Sequence, residues 1–444
     1  MAKVLLLAAN PAREPYPVYP LGLACVAAAV QAAGHTVRQL DYLASACIVG
    51  ELAATLRSFQ PDLVGVGLRN IDNTDSLNHA NHLDCAAELL ATIRSTSTAP
   101  VVLGGAAFSL APETVLERLG ADYGVVGEAE QSFPALVERI ASGLPSPRVV
   151  RCATQAPLAE LAPPLFDADA ARFYLDATGL LNLQTKRGCP QGCVYCSYPA
   201  LEGRNYRYRP VEAVIGDLER LHRDFGATHV FFTDSVFNDA SGGWRELAEA
   251  LARRKLPLRW SGYFRPDRID REDVRLLKQS GLAAMELGAD AATDATLEGL
   301  NKGFSFADVL AFHCTCRAEG VPVAHFIMFG GPAETARTVE EGLRNIALLE
   351  GAPVFVFSGI RVLPCTALAT RAVAEGLIGP HDALLDPVYY FAPGLDPEAL
   401  NAKIRAAFRG NRLRLFPPAE AQARLDVMRR FGFKGLLWDR LVAG

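Results

Sequence analysis

The chain has 444 residues, half of them apolar, with 44 basic against 49 acidic side chains and a formal net charge of -5. That balance describes a globular chain with ample core and excludes a disordered or nucleic-acid-coating protein. No apolar run approaches the roughly 18 residues of a membrane span, and Met1-Ala2-Lys3 leads straight into a strand-like run, so a cytoplasmic protein is expected.

Residues 1–142 alternate short apolar runs with longer stretches of helical periodicity. The runs are Val4 to Ala8, Val37 to Leu40, Leu63 to Leu68, Val101 to Leu103 and Tyr123 to Val126. This α/β pattern predicts a Rossmann-like parallel sheet with helices on both faces. Ligands of such folds bind beyond the carboxyl ends of the strands. The segments there are Leu21-Gly22, Arg69-Asn70, Gly104-Gly105 and Gly127-Glu128. Ordinary loop chemistry would account for any one of them alone.

Residues 143–178, with Ala162-Pro163-Pro164 in their middle, read as a linker. Residues 179–370 resume the alternation, with strands predicted at Leu180 to Gln184, His229 to Phe232, Leu258 to Gly262, Ala284 to Leu287, Val323 to Phe329 and Val354 to Val362. Six parallel strands make a partial (β/α)6 barrel whose chemistry gathers at the carboxyl ends. Residues 371–444 read as a small, mainly helical region. From Lys403 to Gly444 ten basic residues face three acidic ones, interleaved with Phe416, Phe431, Phe433, Leu436, Leu437 and Trp438. A basic amphipathic tail of this kind suits either a peripheral membrane contact or a pair of helices capping the open barrel. No aromatic-basic pattern runs through the rest of the chain, so nucleic acid is not expected as a partner.

After the first barrel strand comes Cys189-Pro190-Gln191-Gly192-Cys193-Val194-Tyr195-Cys196. A structural zinc site closes with four protein ligands and most iron-sulfur clusters use four thiolates. Three closely spaced cysteines therefore leave one coordination position open to a small molecule. With ten cysteines in the chain, the other seven are most simply small buried hydrophobes, in a reducing compartment.

The spacing of these cysteines, with Tyr195 before the last, resembles the signature loop of the radical S-adenosylmethionine superfamily. The resemblance implies that Cys189, Cys193 and Cys196 hold a 4Fe-4S cluster whose open iron is chelated by S-adenosylmethionine. It also implies an external reductant such as flavodoxin or ferredoxin. Upstream, Val101 to Gly105 and Gly120 to Glu130 are similar to the cobalamin-binding domain that many members carry. The Asp-x-His-x-x-Gly loop of mutases is absent, so base-off cobalamin is expected. Arg69 is the candidate beneath the cobalt, blocking without ligating because a guanidinium has no free lone pair; His79 and His82 are the rivals.

Further strand ends carry the same resemblance. Thr233-Asp234-Ser235 stands where the family grips the methionine amine, and Arg265 could pair with the methionine carboxylate. Gly288 and Asp290 stand in place of a ribose contact, and Gly330 to Glu334 resemble the turn near adenine. Tyr263, His325 and Arg361 lie on or beside barrel strands and are candidate substrate contacts.

The function expected is a cobalamin-dependent radical methyltransferase acting on an unactivated carbon of a small lipid-like or secondary-metabolite substrate. Two alternatives stand beside it. The same cofactors could drive ring closure, rearrangement or oxygen insertion, or the protein could be an iron-sulfur redox or regulatory binding protein. A methylthiotransferase would need a second cysteine triad near the N-terminus, which is lacking.

Overall fold

Runs of branched and aliphatic residues buried on both faces specify central parallel strands, and two such sets build this molecule. The computed structural model describes residues 1–152 and 157–443. The first sheet holds β1 (Lys3–Ala8), β2 (Thr36–Asp41), β3 (Leu63–Gly67), β4 (Val101–Gly104), β5 (Tyr123–Val126) and β6 (Val149–Arg151). Its order is β2-β1-β3-β4-β5-β6, and every pair is parallel. The strand order reverses between β1 and β3, which opens a crevice at their carboxyl ends. All five predicted strands form; β6 adds a sixth.

That sixth strand and a helix at Ala168–Ala177 lie in the stretch read as a linker, of which residues 153–156 fall outside the described residues. The helix starts at Asp167, whose carboxylate accepts from the amides of Asp169 and Ala170 at 3.1 and 3.0 Å, closing donors that a helix start otherwise leaves open.

In the barrel region come β7 (Leu181–Leu183), a small antiparallel pair β8 (Lys186–Arg187) and β9 (Arg207–Tyr208), then β10 (His229–Phe232), β11 (Arg259–Phe264), β12 (Leu282–Asp290), β13 (Val323–Phe329) and β14 (Val354–Ser358). A second antiparallel pair, β15 (Ile360–Arg361) and β16 (Tyr389–Tyr390), precedes β17 (Arg414–Leu415). The curved sheet runs β17-β14-β13-β12-β11-β10-β7, all parallel, so the six expected strands form in sequence order and β17 adds a seventh. Local signals delimit the helices between strands. Helix Phe306–Glu319 starts with a Ser305/Asp308 capping box and stops at Gly320 with φ +66, both sequence-encoded boundaries.

The helices pack outside the barrel. Its inner face carries Leu180, Phe231, Ala284, Ala324 and Phe355, and these bury Leu425, Leu436, Leu437, Trp438 and Leu441 of the C-terminal tail together with Tyr16. The amphipathic tail thus caps the barrel with its apolar side inward. Phe431 and Phe433 of the same tail stay outside, 79% and 40% exposed.

Candidate functional site

The carboxyl ends of the first sheet face those of the barrel, and the space between them is a cavity of about 610 Å³, the size of a cofactor site. All eight residues singled out in the first domain, Leu21, Gly22, Arg69, Asn70, Gly104, Gly105, Gly127 and Glu128, line it. From the barrel, Gln184, Arg187, Ser197, Tyr198 and Thr233 form the opposite wall. Gly105, at φ +94, could not carry a side chain: its Cβ would stand 2.4 Å from the Leu68 carbonyl oxygen. Of the three residues proposed beneath a cobalt, Arg69 lines the cavity. His79 is exposed elsewhere, and His82 is buried, where desolvation pushes its pKa down.

Ion pairs hold the walls together. Glu128 pairs with Arg187 at 3.3 Å and with Arg207, and Glu130 pairs with Arg187 at 2.5 Å. Farther round, Asp72 and Arg361 form an ion pair at 2.7 Å with both side chains almost wholly buried. Arg361 also donates to the Val362 and Leu384 carbonyls at 2.5 and 2.7 Å. It is therefore a contact between the two domains, not a substrate-facing residue as expected.

The cysteine loop begins at the barrel edge of this cavity. Gly188, φ +91, is obligatory because a Cβ would meet the Asn205 carbonyl oxygen at 2.0 Å. The loop is held by Cys189 N donating to the Gly203 carbonyl at 3.0 Å, Val194 N to the Leu300 carbonyl at 3.2 Å and the Asn301 amide to the Gly192 carbonyl at 2.8 Å. Cys189 is buried, while Cys193 and Cys196 are half-buried. Burial pushes the Cys193 thiol up against the pull of Lys302, and pushes Cys196 up to about 12. Cys189 lies near enough to add to the rise of both, and Cys193 to that of Cys196.

Among the described residues no three His, Cys, Asp or Glu side chains converge on one ion position. A 4Fe-4S cluster does not ask for that, since it spreads three thiolates over three irons. Three neighbouring loop thiols with no fourth fit it, and metal coordination is what would remove their protons.

The remaining predicted residues are engaged within the protein. Asp234 is wholly buried; it accepts from the amides of Thr185 at 2.7 Å and Lys186 at 3.3 Å and from the Thr185 hydroxyl. Burial pushes its pKa up against the pull of Lys186. It ties the second strand end to the first rather than presenting a carboxylate to a ligand, and Ser235 likewise donates to the Gly188 carbonyl at 3.0 Å. Thr233 alone of that trio lines the cavity. Arg265 forks onto Asp267 at 2.9 and 3.3 Å and donates to the Lys302 carbonyl at 2.8 Å. Asp290 takes the Tyr195 hydroxyl and the Lys302 ammonium, next to half-buried Gly288. Glu334 is buried in its own turn, accepting from Gly330 N at 3.3 Å and Thr338 Oγ1 at 2.5 Å.

His325 is fully buried with its Nε2 3.1 Å from Nδ1 of His313, on the helix side of β13. Burial and the neighbouring imidazole hold its pKa well below the usual range. It packs the outer layer and does not line the cavity, contrary to expectation. Tyr263 does face the barrel interior, beside Arg69 and Thr233.

Sequence reasoning missed Lys302, a buried ammonium beside Cys193, and Glu286, whose carboxyl burial pushes up to about 8. Lys302 carried no local signal. Glu286 did: it is a lone acid inside the apolar run Ala283 to Leu287.

Comparison with known proteins adds the class. The Radical SAM superfamily model matches residues 183–346 and the B12 binding domain model matches residues 12–137. The chain thus carries a B12 binding domain ahead of a Radical SAM domain. The two family models name S-adenosylmethionine for the barrel and B12 for the first domain. Among its relatives, the tryptophan 2-C-methyltransferase of Streptomyces laurentii is 27% identical over 448 residues, covering 82% of this chain and 74% of that one. The hopanoid C-3 methylase of Methylococcus capsulatus is 27% identical over 328 residues, covering 69% and 60%. The fold matches that of the radical S-adenosylmethionine methyltransferase TsrM from Kitasatospora setae, solved with cobalamin and a [4Fe-4S] cluster, with a TM-score of 0.87 at 23% identity over 100% of this chain and 97% of that one.

Proposed function

We propose that this enzyme methylates an unactivated carbon of a small lipid-like or secondary-metabolite molecule. The observation that carries the reading is the shared cavity: the eight ligand-type residues of the first sheet and the loop following Cys196 line one space. Bound there, the cofactors would supply a carbon-centred radical to remove a hydrogen and a methyl group to replace it.

Cys189, Cys193 and Cys196 hold the cluster. Leu21, Gly22, Asn70, Gly104, Gly105, Gly127 and Glu128 would shape the cobalamin cradle, and Arg69, which offers no lone pair, would stand against the cofactor without ligating its metal. Tyr195, fixed by Asp290 and Lys302, keeps the cysteine loop in register. Thr233 is the cavity-facing acceptor for the methionine amine, while Asp234, Ser235 and Glu334 brace the strand ends that present it. Arg265 meets the methionine carboxylate by exchanging its Asp267 contact, and Gly288, Asp290 and Gly330 border the nucleoside.

The domains divide as 1–142, 143–178, 179–370 and 371–444. A flavodoxin or ferredoxin supplies electrons in the cytoplasm, where all ten cysteines stay reduced. The exposed Phe431 and Phe433 suit a peripheral membrane contact. No helix among the described residues is long and apolar enough to cross a membrane.

The test is anaerobic reconstitution followed by incubation with S-adenosylmethionine carrying a labelled methyl group, reductant and candidate substrates. The label should appear in product together with 5'-deoxyadenosine. Product formed without label would move the enzyme to ring closure, rearrangement or oxygen insertion. Absence of 5'-deoxyadenosine across the substrate panel would leave an iron-sulfur binding protein.

A further inference from the structure

Lys302 reaches the cysteine loop because of how the helix Asp294–Gly299 ends. Asn301, at φ +56, turns the chain; its backbone amide donates to the Glu298 carbonyl at 2.8 Å and that of Lys302 to the Leu297 carbonyl at 3.0 Å. In this helix stop the residue after the cap takes the left-handed region, which Asn tolerates better than most residues. The three residues released there all meet the loop. The Leu300 carbonyl accepts from Val194 N at 3.2 Å, the Asn301 side-chain amide donates to the Gly192 carbonyl at 2.8 Å, and Lys302 Nζ lies 3.4 Å from the Tyr195 hydroxyl.

The first two contacts fasten the loop without any charge. The third brings in an ammonium whose side chain is only 5% exposed and lies over the Phe304 ring, 5.6 Å from its centroid. Asp290 pairs with it, and the Tyr195 hydroxyl donates to the same carboxylate. Burial works against the charge, but Asp290 and then Cys193 outweigh it and hold the Lys302 pKa above its ordinary value. The field of the ammonium reaches Cys193 and Cys196 alike. Arg265, another cation felt by Cys193, is engaged in its fork with Asp267. An ion pair buried merely to steady a loop that uncharged bonds already hold is more costly than a neutral side chain of the same shape. Beside a group that gains an electron a fixed cation has a use, because the net charge and polar contacts around an iron-sulfur cluster set its potential.

We propose that Lys302 raises the reduction potential of the cluster held by Cys189, Cys193 and Cys196, and that Asp290 moderates the effect as its counter-charge. Reduction adds one electron, delivered by the external reductant, to a group that three thiolates already make anionic; no bond forms or breaks and no proton moves. The ammonium attracts that added charge across a buried path, where Coulomb interactions are far stronger than in water. Lys302 keeps its own proton throughout. It acts through the cluster, as a positioning residue and not a catalytic one.

This inference rests on the cluster assignment within the proposed function. Its test is a redox titration of the anaerobically reconstituted full chain with dithionite and mediator dyes, before S-adenosylmethionine is added. The electron paramagnetic resonance signal of the reduced cluster gives the midpoint. Lys302→Met should move the midpoint to a more negative value, Lys302→Arg should leave it near wild type, and Asp290→Asn should move it to a more positive value. The opposite signs separate charge from structure, since Met and Asn each remove a hold on Tyr195 and a loosened loop would shift both variants the same way. A midpoint unmoved in Lys302→Met, or shifts of one sign in Lys302→Met and Asp290→Asn, overturns the proposal. Where Lys302→Met assembles no cluster, the other two variants decide: a midpoint that rises in Asp290→Asn and holds in Lys302→Arg sustains the proposal, and any other pair of results overturns it. A wild-type chain that takes up iron and sulfide without a 4Fe-4S signal overturns the cluster assignment and this inference with it, whereas a wild-type signal with unmoved midpoints overturns this inference alone.

Discussion

Cys189, Cys193 and Cys196 owe their proximity to local chain geometry, so their role is testable one residue at a time. Replacing any one by Ala should abolish loading of the full cluster, measured as iron and sulfide per chain, and with it 5'-deoxyadenosine formation, while cobalamin retention stays at the wild-type level. Cleavage persisting in any of the three would remove the assignment. Glu286 offers a second test because its folded pKa of about 8 lies above the ordinary glutamate value of 4.5. For a carboxyl raised on folding, the unfolded chain releases its proton first, so stability falls as pH rises through the window from about 4.5 to about 8 and then levels. The slope from this fully buried group is at most about 1.4 kcal/mol per pH unit. Glu286→Gln should therefore gain stability relative to wild type between pH 5 and pH 8 in denaturant titrations; a difference independent of pH would show that the group does not titrate there. The cysteine loop and the cavity-lining glycines were legible because their signals are local. The partners of Asp234, Arg265 and Asp290 were not, because Thr185, Lys302 and Tyr195 reach them across the fold.

Elements show the same division. The eleven strands expected from apolar runs form, even β2, where only Asp41 is buried. β17 escaped notice since two residues followed by Phe416-Pro417 have no periodicity; docking beside β14 makes them a strand. The tail's amphipathic character was readable but its partner was not, because charge and periodicity say that an apolar side exists without saying what covers it. That partner is the barrel floor. Trp438 is fully buried and stands edge-on to Phe355 at 5.1 Å. Trp438→Ala should cost about 3–5 kcal/mol of unfolding free energy. The loss should be read as an earlier denaturant midpoint of the barrel, and a midpoint unchanged within error would show that the tail does not close it.

At the scale of the whole molecule, the cavity exists only while the two sheets face each other, and the Asp72–Arg361 pair is the most deeply buried charged contact between them. Asp72 lies three residues after Arg69 in the same loop, whose far end is also fastened by Ser76 donating to the Ser358 carbonyl and Asn81 donating to the Leu385 carbonyl at 3.3 Å. Breaking one partner of such a pair strands the other without solvent, at a cost of about 3–5 kcal/mol. Replacing both by apolar groups of similar volume costs far less, since neither charge is then left alone. Arg361→Met should thus lower stability and weaken cobalamin binding together, because the loop bearing Arg69 is released from the barrel wall. The double variant Asp72→Leu/Arg361→Met should regain most of the stability. If it also regains cobalamin affinity, the pair acts by docking the domains; if affinity stays low while stability returns, the ionic geometry itself positions Arg69. Wild-type cobalamin affinity in the single variant would show that the loop holds its place through Ser76 and Asn81 alone.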